Sequence, residues 1–414
     1  MFRPTSAGIT ALLFLLAGCA SAGVESPATT PPSTSPTTTP APSTSTSAPP
    51  PPVTAPEATD TWVRVFAGPG YGALFDVVLT PDGEMLAVGA TNHVHLPPYS
   101  SDALLMKLTL EGEVVWERTW GGDGYEQALA AAPAEEGGFY VFGETDSHGA
   151  GGRDFFLMKT ASDGSEEWFR TYGRPGREWP YGMLPLANGD LLIYGFTETP
   201  AAERRSQYAA RVGADGTPLW EYVGEGTEDE LILDALETVE GDLVLAVSMA
   251  EDPALVRLDG DGRIQWAKRY ELPGWQYATG LAPTDSGGFL LAGFSMSPGS
   301  ADTWLARCTG TGELEWETSF GDPAFDDYAT SMIRLGDGTY LLGAIADGLS
   351  LSRVDGEGTV LWRRFLVGQA VHGAMALAEL GDGGFLVAGL VQLIPGRSYD
   401  AILLRTDPEG EVAE

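Results

Sequence analysis

Cysteine is nearly absent: the 414 residues include two, Cys19 and Cys308, which excludes a disulfide framework. Lysine is almost as scarce, with Lys107, Lys159 and Lys268 alone. Lys plus Arg reach 23 against 58 Asp plus Glu, a formal net charge of -35. So anionic a surface repels phosphate backbones, which makes nucleic acid a poor partner. The four histidines, His93, His95, His148 and His372, form no HExxH pattern, and no CxxC, P-loop or dinucleotide fingerprint occurs. No cofactor and no metal are therefore expected. His93 and His95 alternate and so face one way in an extended segment, within reach of Glu144, Asp146 and His148 of the following unit. That grouping has no third local ligand. Helical apolar stripes are missing as well.

Two segments at the start fall outside any core. Arg3 precedes an apolar run from Ile9 to Leu16, short enough for a signal-peptide core rather than a membrane span. Leu16-Ala17-Gly18-Cys19 resembles the lipobox of bacterial lipoproteins. The resemblance implies cleavage after residue 18 and acylation of Cys19, which would anchor the chain in a membrane. An ordinary secretory signal with an incidental cysteine is the alternative. Residues 19–60 are then a tether, "PATTPPSTSPTTTPAPSTSTSAPPPP", too poor in apolar residues to fold and stiffened by proline.

From residue 61 to 414 the chain is periodic. Trp62, Trp116, Trp168, Trp220, Trp266, Trp316 and Trp362 recur at intervals of 46 to 54 residues. Each unit reads as four short strands divided by Gly-rich and Asp-Gly turns, as in "GGFLLAGFS" followed by "DTWLARCTGTGELEW". Units of this kind bury both sheet faces by stacking radially. The expected fold is all-β, a seven-bladed β-propeller of four-stranded antiparallel blades. The last unit owns three strands, near His372–Leu380, Phe385–Leu390 and Asp400–Thr406, and its tail "DPEGEVAE" lacks the tryptophan. "DTWVRVFAG", with Trp62, is expected to supply that fourth strand and close the ring. An open solenoid would leave two raw sheet edges.

The repeated tryptophans, and Asp102, Asp154, Asp302 and Asp400 at third-strand starts, read as structural because they recur. Asp259 and Asp261 begin a hairpin turn rather than a calcium loop, since Arg263 and Ile264 follow. Cys308 reads as a packed small residue. The loops entering the small-residue strands carry more chemistry, although Tyr181, Tyr277 and Tyr328 recur at nearly the same repeat position, as residues that simply pack would. With those strands innermost, the loops ring one mouth of the channel and carry Tyr71, Tyr125, Glu126, Glu178, Trp179, Tyr181, Trp275, Tyr277, Asp326, Asp327 and Tyr328. Aromatic faces among carboxylates suit sugars, cations or peptides. Tyr125, Glu126, Glu178, Trp179, Trp275, Asp326, Asp327 and Tyr328 are the candidate binding residues, and no catalytic residue is assigned.

The pattern "W…GG…DGGFL…G…D…LL.R.D..G…W" resembles the propeller repeats of bacterial secreted proteins and lipoproteins, including those called PQQ-like. The resemblance implies a fold over residues 61–414 and a cell-envelope address, not an activity. The expected protein is a lipid-anchored, extracytoplasmic binding domain for a macromolecule or glycan. The alternatives are a glycan-cleaving hydrolase or lyase using mouth acids, and then a quinone-cofactor dehydrogenase. The adjacent cysteines of the latter are absent.

Overall fold

A computed structural model describes residues 61–412 apart from 68–71, 92–99, 200–203, 225–227, 251, 297–299, 347, 368–370 and 392–398. The signal, Cys19, the tether, Tyr71, His93 and His95 lie outside the described residues. Within them the chain forms 28 strands and no helix. The strands make seven four-stranded sheets, a seven-bladed β-propeller.

Blades 1 to 6 each take four strands consecutive in sequence. Blade 2 is representative: Glu126–Pro133, Phe139–Thr145, Asp154–Thr160 and Glu166–Tyr172 pair antiparallel in that order. The first strand of each blade packs against the first strands of its neighbours, so these seven strands wall the channel. The second and third strands are buried along their length, whereas the fourth is mostly exposed, as Glu166–Tyr172 is. Blade 7 contributes Val371–Glu379, Phe385–Val391 and Asp400–Thr406. Beside the last of these lies Trp62–Phe66, antiparallel, with Trp62 opposite Arg405 and Phe66 opposite Ala401.

The tryptophan period has a direct physical cause. Each indole lies on the glycine of the turn that follows the third strand of the next blade. Trp116 sits on Gly164, Trp168 on Gly216, and so on to Trp362 on Gly410 and Trp62 on Gly112. These turns hold the glycines at φ near +80°, as at Gly164 (79°) and Gly410 (78°). A Cβ there would meet the indole at 2.6 to 3.0 Å. Conformation and close approach therefore both require glycine. Four of the tryptophans, Trp62, Trp116, Trp168 and Trp362, also carry an arginine over the ring, 5.3 to 5.7 Å from its centroid. The tryptophans are seams between blades and not a stacking surface for ligand.

Candidate functional site at the channel and its mouth

Every inner strand carries a β-bulge at the same level. The register slips past Phe75, Leu129, Tyr181, Leu233, Thr279, Thr330 and Met375. A bulge leaves its extra residue unpaired and bends the strand. Here all seven bulged residues line one central cavity.

Three residues before each bulge, under the mouth, the chain places Glu126, Glu178, Glu230, Gln276 and Asp327 in blades 2 to 6. Sequence predicts that Glu126, Glu178 and Asp327 ring an open mouth. The structure puts them at that end but at 0% exposure. Their oxygens hold the mouth loops. Glu126 accepts from the Gly122 amide (2.8 Å) and the Thr145 hydroxyl (2.8 Å). Glu178 accepts from Thr197 (2.7 Å). Asp327 accepts from the Asp322 amide (2.6 Å) and is ion-paired with Arg363.

These acids also meet acids from the preceding blade. Burial first, then repulsion by Glu126, raises Asp102 above the usual carboxylate range. Asp302 is raised by burial and then by Asp327 and Asp326. Between blades 2 and 3 Asp154 is likewise raised by burial, next to Glu178 of the following blade. Burial, reinforced by Asp154, lifts Glu178 to about 7.

Tyr125 and Trp179 are buried as well, at 4% and 2% exposure, and have a common task. The Arg153 guanidinium lies 4.4 Å from the Tyr125 ring centroid and 5.0 Å from that of Trp179. Arg153 is itself 5% exposed and pairs with the fully buried Glu144 at 2.9 Å. Gln127 donates to Glu144 (2.8 Å) and accepts from the Tyr125 hydroxyl (2.9 Å). Burial pushes Glu144 up to about 7 while Arg153 and Arg177 pull it back. Glu144 is thereby committed away from His148, which is exposed and packs beside Trp120. Among the described residues no group of three His, Cys, Asp or Glu is placed to hold a metal.

The candidates that reach solvent are Trp275, Asp326 and Tyr328. Trp275 and Tyr328 belong to one aromatic cluster spanning blades 3 to 6, with Trp179, Phe196, Tyr277 and Phe294 at its base and Tyr181 and Met296 partly exposed beside them. Tyr328 meets Phe294 edge-on at 5.1 Å, and Tyr277 stacks on Phe294 at 5.2 Å. Asp326 is exposed and accepts from the Ala301 amide at 2.8 Å. This supported aromatic surface beside the exposed Asp326 is where the candidate residues meet solvent.

Sequence reasoning missed Asp76 and Asp234, which directly follow bulges and line the cavity. Burial pushes both up to about 6. The detectable signal was positional. Aligned on the bulge, the other five blades place Ala130, Gly182, Gly280, Ser331 and Ala376 there.

The raised carboxyls fix the sign of a pH effect. Asp76, Asp234, Glu144 and Glu178 titrate at about 6 to 7 folded, against 3.8 to 4.5 for the unperturbed groups. Between those limits the folded chain binds more protons than the unfolded one, so these groups add stability that is complete below the lower limit and lost as pH rises through the upper. Acids held low by partners, such as Asp82 and Asp337, act below this window. Chemical denaturation is expected to need more denaturant at about pH 5 than at about pH 8. A lower midpoint at the acidic pH contradicts this reading.

No protein-family model matches the chain, and no curated protein matches it in sequence. Solved structures do match in fold. The Neurospora crassa Pan2 WD40 domain aligns over 81% of this chain and 89% of its own at 10% identity, with a TM-score of 0.55. BBS1N, solved in complex with ARL6DN, aligns over 86% and 98% at 12% identity, TM-score 0.52. A Lactobacillus plantarum protein aligns over 79% and 98% at 12% identity, TM-score 0.51. The chain is a β-propeller. At these identities the likeness concerns the fold alone, and one fold hosts many functions.

Proposed function

We propose that the chain is a membrane-anchored, extracytoplasmic lipoprotein whose propeller is a binding domain for a protein or glycan. The observation that carries the binding role is the Trp275–Tyr328 surface at the mouth, held from beneath by Phe294 and Tyr277 and flanked by Asp326. Rigid aromatic faces give contact area at little entropic cost and stack on sugar rings or cationic side chains. Support for the anchor comes from the signal-like start, Cys19 in its lipobox-like setting, and a tether able to lift the domain from a membrane.

The glycan-cleaving reading needs carboxyls that touch substrate. Glu178 and Asp327 have no solvent exposure, so no observation favours it.

Two measurements on the full chain test the proposal. Fractionation of cells expressing Cys19→Ser is expected to move the protein from the membrane to the soluble fraction; an unchanged membrane pool refutes the anchor. The soluble Cys19→Ser chain, screened on a glycan array and a peptide library, is expected to bind members of one class. Trp275→Ala is expected to weaken that binding about tenfold or more, as loss of an aromatic anchor does. Binding indifferent to both Trp275→Ala and Tyr328→Ala removes the mouth from the account.

A further inference from the structure

The cavity at the centre of the ring encloses about 300 Å³, the lower end of the range for small-molecule sites. Its wall is uneven. Phe75, Leu129, Tyr181 and Met375 give one part an apolar, aromatic face. Blades 5 and 6 contribute Thr279 and Thr330, whose hydroxyls are occupied by carbonyls of the next blade, Ala329 (2.8 Å) and Ala374. Charge in the wall comes from Asp76 and Asp234, and no Lys, Arg or His is among the described residues lining it.

What holds these two carboxylates is informative. Asp76 accepts from the Val77 amide (2.8 Å) and, across the seam, from the Ala131 amide (2.9 Å). Asp234 accepts from the Ala235 amide (2.8 Å), the Leu281 amide (2.7 Å) and the Tyr194 hydroxyl (3.1 Å). Dipoles therefore fix both carboxylates in position, and among the described residues no Lys, Arg or His forms an ion pair with either. Both keep partial contact with solvent through the channel. Geometry alone does not demand acids here, because five blades build the same bulge with Ala, Gly or Ser in the following position. A sheltered site of this kind, negative, partly aromatic and without its own counter-charge, favours a positive guest.

We propose that the central cavity binds one small organic cation, an amine or quaternary ammonium with an apolar body. Asp76 and Asp234 supply the negative field that attracts its charge, and its apolar part contacts Phe75, Leu129 and Tyr181. The site adjoins the mouth surface through Tyr181, which borders both, but does not rest on the function proposed for that surface.

Titration calorimetry on the full Cys19→Ser chain tests this with two charged probes and their uncharged counterparts: choline against dimethylbutanol, and phenethylamine against phenethyl alcohol. At least one cation is expected to bind at a single saturable site, about tenfold or more tighter than its neutral counterpart. Leu129→Trp, which fills the cavity, is expected to abolish that binding, and Asp234→Asn to weaken the cation about tenfold while leaving the neutral probe unchanged. Failure of both cations to bind overturns the proposal. So does equal binding of the neutral probe, or binding that survives Leu129→Trp, which would assign it to the anionic exterior. The charged-against-neutral comparison needs no core substitution, so it decides the matter even where a variant fails to fold.

Discussion

Deleting Thr61–Phe66 is expected to destabilise the propeller by more than any single substitution outside its core. The segment covers the third strand of blade 7, places Trp62 at 7% exposure on Gly112, and sends the indole N–H to the Leu110 carbonyl at 3.0 Å. Truncation of a buried aromatic costs about 3–5 kcal/mol by itself, so Trp62→Ala should already lose that much in denaturant titration. The deletion should lose more, because it also bares the backbone edge of Asp400–Thr406, an invitation to aggregate. Arg405, which reaches the Leu110 carbonyl at 3.3 Å and pairs with Asp382, lies opposite Trp62 and would gain solvent at the same time. A deletion variant as stable and monodisperse as the full chain would mean that blade 7 is complete without this strand.

Arg153→Met is the second large effect. It strands Glu144 at 0% exposure without its ion-pair partner, and removes the cation held between Tyr125 and Trp179. Breaking a buried pair from one side costs about 3–5 kcal/mol. The penalty has a pH signature. Glu144 already titrates at about 7 through burial, with Arg153 pulling it down. Without Arg153 it takes up a proton more readily, so the variant's loss relative to the parent shrinks as pH falls. Denaturation of both chains at about pH 8 and about pH 5 checks this. A penalty equal at the two values would show that lost packing, not stranded charge, is responsible. Removing both charges together, Arg153→Met with Glu144→Leu, should cost less than Arg153→Met alone.

These effects show where sequence speaks plainly and where it does not. The blade number was legible because Trp and turn Gly are two halves of one contact, each about a blade apart from the next, and a contact repeated around a ring must appear as a period. The place of the candidate residues was legible too: Glu126, Glu178 and Asp327 do sit at the entry to the inner strands. Their burial was not. It is decided by partners on the preceding blade, such as Asp154 against Glu178, and the pairing emerges only when two sheets are set side by side. The bulge ring left no common residue type at all, with Phe, Leu, Tyr, Thr and Met at equivalent positions, since a bulge answers to strand curvature rather than to side-chain identity. Asp76 and Asp234 were visible only as departures from neighbours that had first to be aligned on that bulge. Trp275 and Tyr328 open their inner strands, but the support beneath them from Phe294 and Tyr277 depends on packing between blades.

The central structural claim, that the N-terminal strand is the outer strand of the last blade, has a direct test. Phe66 and Ala401 are Cα partners, and directly opposed residues of an antiparallel pair lie about 4.5–5.5 Å apart, within disulfide range. Phe66→Cys with Ala401→Cys, in a Cys19→Ser background, should form a disulfide on mild oxidation of the folded chain, read as protease fragments that stay joined until reduced. The native Cys308 is fully buried, and burial pushes its thiol up to about 11, so it should not compete. A folded chain whose introduced cysteines remain free would contradict the ring.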